Sequence, residues 1–114
     1  MRDAFRGVEI SAVAFTPESP TDGKYGGTAL PGIRLRVTDR RRYDPTKTAV
    51  ALLAALRAVH RDSLRFNERS FDRLAAGSEL RRALIAGRPP AAIARAWEPA
   101  LTRFRRARAA YLLY

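Results

Sequence analysis

The sequence predicts a small α+β domain, and three observations predict it. Residues 8–15 and 32–38 alternate apolar and other side chains with a period of two, the mark of half-buried strands. Three later stretches, near 46–61, 78–86 and 90–108, repeat apolar side chains at helical spacing. Between the strands, residues 16–32 hold Gly23, Gly26, Gly27 and Gly32 with Pro17, Pro20 and Pro31, which excludes helix and strand alike and makes a long surface loop. The expectation is one domain over residues 1–114, with a few-stranded sheet packed against about three helices.

Val8–Phe15 reads as the first strand because Val8, Ile10, Ala12 and Ala14 are uniformly apolar, with both faces mostly buried toward Phe15. In the second strand Ile33, Leu35 and Val37 alternate with Arg34, Arg36 and Thr38, so one face is expected to be buried. That strand ends in a polar rim of Thr38, Asp39 and Arg40. Asp44 and Pro45 signal a helix start, with Thr46 as the competing cap, and Val50, Leu53, Ala54, Leu56 and Val59 form its apolar stripe. Leu64 and Phe66 fit a short extended piece, and residues 71–76 fit one or two helical turns.

Ser78 and Glu79 are expected to cap the next helix, whose apolar edge is Leu80, Leu84 and Ile85 and whose stop is Gly87. Ile93, Trp97, Leu101 and Phe104 give the last helix one apolar stripe facing the core, and Pro99 predicts a kink within it. Core packing also accounts for Trp97 better than sugar stacking does. The closing residues 111–114, apolar and aromatic, are expected as a strand tied into the sheet.

With 114 residues and 46% hydrophobic content, the chain can bury a modest core. Its net charge of +11 points toward anionic partners. That charge is nearly all arginine, beside Lys24 and Lys47 alone, and alanine is equally abundant. Such a pairing follows from GC-rich codons, so nucleic acid is disfavoured as a partner. Zero cysteines exclude disulfides, thiolate metal sites and a cysteine nucleophile. No apolar run approaches the roughly 20 residues of a membrane span, and residues 1–7 lack a signal-peptide core. No membrane contact is expected.

His60 is the sole histidine, so a histidine metal site and a histidine-based triad are both closed; neither a metal nor any cofactor is expected. The DGKYGG loop lacks phosphate-loop spacing. Eleven carboxylates remain for glycosidase chemistry, which needs one protonated and one ionised. Asp39 is best placed, but Arg40, Arg41 and Arg42 beside it favour a turn aspartate held by arginines. The residues on their own therefore leave open a basic binding module for anionic polymers, without catalysis.

Phe15–Thr16–Pro17, then Lys24, Tyr25 and Gly27, Val37 to Arg40, and Tyr111 to Tyr114 after Arg108 together resemble the C-terminal domain of exo-β-N-acetylmuramidases, a family of peptidoglycan-sugar hydrolases. The resemblance covers nearly the whole chain. It departs at Ala29 and Leu30, where a cysteine and a small residue are expected, and at Pro99. It implies a fragment or split subunit whose Rossmann-like catalytic domain is absent, so the chain has no catalytic residue and is inactive alone. It also implies a cleft between the two domains, with Lys24, Tyr25, Thr38, Asp39 and Arg40 contacting muramyl sugars. The family role places such enzymes at the cell envelope or in cytoplasmic recycling.

Overall fold

The computed structural model describes residues 2–113 and is α+β. A 3₁₀ turn at Arg2–Phe5 leads into β1 (Val8–Phe15) and β2 (Leu30–Val37). Four helices follow: α1 (Pro45–Val59), α2 (Glu68–Leu74), α3 (Glu79–Ile85) and α4 (Pro90–Ala109). The contacts gather into two units, Phe5–Asp44 and the helical remainder, which takes in the residues up to Ala4.

In the first unit β1 and β2 form an antiparallel ribbon in unbroken register from Val8↔Val37 to Phe15↔Leu30. Directly opposed residues share a face. Val8, Ile10, Ala12 and Ala14 therefore stand beside Val37, Leu35, Ile33 and Pro31 on a face with no polar side chain. The reverse face pairs Glu9 with Arg36, Ser11 with Arg34, Val13 with Gly32 and Phe15 with Leu30. Arg36 donates to the Glu9 carboxylate there. The Phe15 ring lies over Gly32, where a Cβ would come within 2.6 Å of it.

The expected burial of this ribbon is corrected. Ile33 is 55% exposed, Leu35 42%, and Ile10, Phe15 and Val37 are exposed as well. Alternation identifies which side is apolar, but burial needs a second layer over it. The open end of the ribbon is closed at Gly7, whose carbonyl accepts from the Thr38 and Asp39 amides at 2.8 and 3.2 Å. Gly7 has φ +71, and a Cβ there would sit 2.4 Å from the Asp39 carbonyl oxygen, so only glycine fits.

The helical unit has its own core: Val50 and Ala51 from α1, Leu84 from α3 and Ile93 from α4 are buried. Leu53, Phe66, Phe71, Leu80 and Trp97 pack against it, as expected for Trp97. Each such aliphatic side chain contributes roughly 1.5–3 kcal/mol by leaving water. Phe66 and Phe71 meet edge to face, centroids 4.9 Å apart. The buried Thr48 hydroxyl donates to the Ala4 carbonyl at 2.7 Å, fastening the N-terminal turn to this unit.

Local signals fared unevenly. Residues 64–66 are irregular, and α2 starts at Glu68 because the Asn67 side chain accepts from the Ser70 amide at 3.1 Å. Ser78 does not cap α3 with its side chain, since its own backbone is already helical. Gly87, at φ +72, does end that helix: the Arg88 amide reaches the Ala83 carbonyl and the Gly87 amide that of Leu84.

Leu56, Val59, Ile85, Leu101 and Phe104 are exposed, so the stripe on α4 faces the core only over its first half, at Ile93 and Trp97. At 20 residues α4 is roughly 30 Å long, well past the 7-residue α3, and its second half overshoots its neighbours. Pro99 lies inside α4 without ending it. Residues 111–113 are turn and irregular chain and form no strand, correcting that expectation, while Tyr114 lies outside the described residues. The Tyr111 amide still bonds the Arg108 carbonyl at 2.9 Å, so helical winding persists where a strand was expected.

Candidate substrate-contact site

All five residues expected to contact substrate lie in the ribbon unit. Lys24 and Tyr25 sit in the connection of residues 16–29 at one end, and Thr38, Asp39 and Arg40 follow β2 at the other. Eight-residue strands separate the two groups by roughly 25 Å. The ribbon brings Lys24 to Tyr25 and Thr38 to Asp39 and Arg40, and it keeps the two groups apart.

The connection is built from small turns. The Gly23 amide bonds the Pro20 carbonyl at 2.9 Å, Gly27 that of Pro17 at 3.0 Å and Thr28 that of Tyr25 at 3.0 Å. The Asp22 carboxylate accepts the Lys24 amide at 3.1 Å. These bonds hold Tyr25 in the left-handed region at φ +57, a conformation costly for an aromatic residue, with its side chain 66% exposed. An exposed aromatic ring beside a lysine has the chemistry for a sugar face and an anionic substituent.

At the opposite end Asp39 organises backbone. Its carboxylate accepts the Arg41 amide at 2.9 Å, and its carbonyl accepts from Arg42 and Tyr43 at 3.2 and 3.0 Å. Asp39 is thus a turn aspartate whose carboxylate is held, among the described residues, by a backbone amide instead of a guanidinium. Thr38 and Arg40 are exposed on this turn.

Other carboxylates are committed elsewhere. Asp72 receives Arg81 on both oxygens at 2.9 and 2.8 Å, and Glu68 joins the same guanidinium at 3.2 Å. The bond from Arg81 holds the Asp72 carboxyl below its ordinary range, opposed by partial burial, which is the reverse of what a catalytic acid needs. A groove in the helical unit, walled by Leu53, Leu74, Gly77, Leu80 and Trp97, contains Glu79 as its one ionisable residue among the described residues. One carboxylate does not make a glycosidase pair. Among the described residues no group of three metal-ligating side chains converges, and no helix is long and apolar enough to cross a membrane.

Sequence reasoning passed over Gly7, which fixes the Asp39 turn, and the Glu68–Asp72–Arg81 cluster that ties α2 to α3. The spacing of Glu68 and Asp72 by four residues placed both on one helical face, a signal that was available. The closeness of Gly7 to Asp39 had no local signal.

The sequence matches the family described as exo-beta-N-acetylmuramidase NamZ, C-terminal, over residues 1–114. The chain belongs to this family. It is 31% identical over 109 residues to the peptidoglycan beta-N-acetylmuramidase NamZ of Bacillus subtilis strain 168, an alignment covering 95% of the chain and 26% of that protein. The chain thus spans about a quarter of the length of this NamZ relative. No solved structure matches. In this member of the NamZ C-terminal family, the ribbon, its long connection and the Gly7–Asp39 closure fix where Lys24, Tyr25, Thr38, Asp39 and Arg40 stand.

Proposed function

We propose that this chain completes the substrate cleft of a peptidoglycan β-N-acetylmuramidase that releases terminal N-acetylmuramic acid, with catalysis supplied by a separate domain. The family match over the whole chain carries this reading. The match to about a quarter of the B. subtilis muramidase supports a division of labour in which this chain alone is inactive. Lys24 and Tyr25 are the substrate contacts: the ring stacks on a sugar face and the ammonium pairs with the lactyl carboxylate. Thr38, Asp39 and Arg40 serve at the far end of the ribbon, with Asp39 shaping the turn that presents the other two. The backbone strain at Tyr25 favours the loop as the principal contact.

The test is a single polypeptide joining the non-matching part of the B. subtilis relative to this chain, assayed with a chromogenic muramide. Release of the sugar is expected, and Tyr25→Ala should raise KM about tenfold while leaving stability unchanged. A soluble, folded fusion without activity overturns the reading.

A second reading, an anionic-polymer module, is favoured by the exposed Arg103, Arg105, Arg106 and Arg108 on the overshooting half of α4. Binding that weakens steeply with log salt would support it, whereas sugar recognition is nearly salt-independent.

A further inference from the structure

In the ribbon, patterning and exposure disagree along nearly its whole apolar face. Val8, Ile10, Ala12 and Ala14 with Pro31, Ile33, Leu35 and Val37 make four successive cross-strand pairs on one face, and none carries a polar group. Every member except the half-buried Val8 is exposed. Two-stranded ribbons are marginal in water unless a further layer covers their apolar side. The reverse face carries Glu9, Ser11, Arg34 and Arg36 over half its length, and its apolar remainder is partly self-covered, with Phe15 lying over Gly32 and Val13 and Leu30 half-buried. The pattern is that of a sheet built to be covered on one side.

The size of the face limits what can cover it. Four pairs span roughly 25 Å along the strands and about 10 Å across, on the order of 250 Å². A stable dimer of free subunits needs about 800 Å² per partner, so a second copy held by this face alone falls well short. A domain in the same polypeptide, or one with further contacts, needs less, because tethering supplies the effective concentration. About three quarters of the B. subtilis muramidase has no counterpart in this chain, and the family matched is the C-terminal one. The unmatched part of that relative is thus about three times the length of the matched part, ample to supply a covering surface.

We propose that the apolar face of the β1–β2 ribbon is the docking surface for the remaining part of the muramidase, which lays an apolar helix or sheet surface against Ile10, Ile33 and Leu35. This rests on the muramidase reading and adds to it the surface through which the parts join. The long connection with Tyr25 and the turn with Arg40, at the two ends of the docked ribbon, then flank the junction.

Introduced cysteines test the surface directly, since the chain has none of its own. Ile33→Cys and Leu35→Cys report the apolar face, and Arg34→Cys reports the reverse face as control. Each is labelled with a maleimide in the chain alone and in the fusion with the B. subtilis portion. Peptide mass mapping reads the modification at that site, with circular dichroism to verify folding. The expected result is more than about tenfold slower labelling of the Ile33→Cys and Leu35→Cys variants in the fusion, with Arg34→Cys unchanged. Equal rates at Ile33→Cys and Leu35→Cys in fusion and free chain overturn the proposal. So does protection in the free chain that grows with its concentration, which assigns the face to a second copy. Muramide hydrolysis by the same fusions separates the two readings. Activity without protection overturns the docking surface alone, and protection without activity upholds the surface while removing the enzymatic reading.

Discussion

Leu84 on α3 and Leu35 on β2 occupy equally regular apolar positions, yet Leu84 is 2% exposed and Leu35 42%. The helical unit folds four amphipathic segments around one another, so Val50, Leu84 and Ile93 find cover within the chain. The ribbon is a single two-stranded layer, and Ile10, Ile33, Leu35 and Val37 on its apolar face are exposed. Patterning declares which side avoids water. Whether that side is covered depends on how many layers the chain can supply. The same contrast repeats inside α4, where Ile93 is buried and Phe104, on the same stripe, is 61% exposed because the helix outruns its partners.

Deleting side chains at the two leucines should break the apparent equivalence most clearly. Leu84→Ala is expected to destabilise the helical unit by about 2–5 kcal/mol in urea unfolding, through lost burial and the cavity left behind. Leu35→Ala, at a side chain already 42% exposed, should cost about 1 kcal/mol or less, and a loss as large as that of Leu84→Ala would show that the ribbon is covered in the free chain. Next in size is Gly7→Ala, whose backbone clash and left-handed φ should cost about 1–3 kcal/mol and loosen the Thr38–Arg40 turn, measured by amide exchange at Thr38 and Asp39. Asn67→Ala, which removes the α2 cap, should cost about 1 kcal/mol and leave the ribbon amides untouched.

Acid sharpens the comparison further. Arg81 lowers the Asp72 pKa in the folded state below the ordinary 3.8, so the pair's contribution is fully present above that value. It is lost as pH falls through the depressed folded pKa. The urea midpoint of helical-unit probes should therefore drop as pH falls below the ordinary carboxylate value, and Asp72→Asn should flatten that drop. A slope unchanged by the substitution would remove Asp72 from the acid response.

Much of the local structure was legible in the residues. The period-two runs located β1 within its observed bounds and β2 to within two residues at its start, and the Gly87 stop and the proline start at Pro90 hold. The helix at α2 was harder to see, because seven residues give too few apolar repeats to separate a helix from a turn. Tyr111 to Leu113 misled because an apolar terminus resembles a strand, although leucine favours a continuing helical turn as readily. Of the candidate site, sequence order joined Lys24 to Tyr25 and Thr38 to Arg40 correctly. It could not show that an antiparallel ribbon sends these groups to opposite ends.

By itself the sequence determined the α+β class, the apolar side of each element, the glycine that stops α3 and the family to which the chain belongs. Those properties are local or additive: they depend on spacing, on single-residue conformational preferences and on similarity summed along the chain. Only the tertiary structure decided that Leu101 and Phe104 lie beyond the buried part of α4, that Asp39 is bound to amides, and that Ile33 and Leu35 are exposed. Burial depends on what stands opposite, and that is set by the lengths and number of the packed layers.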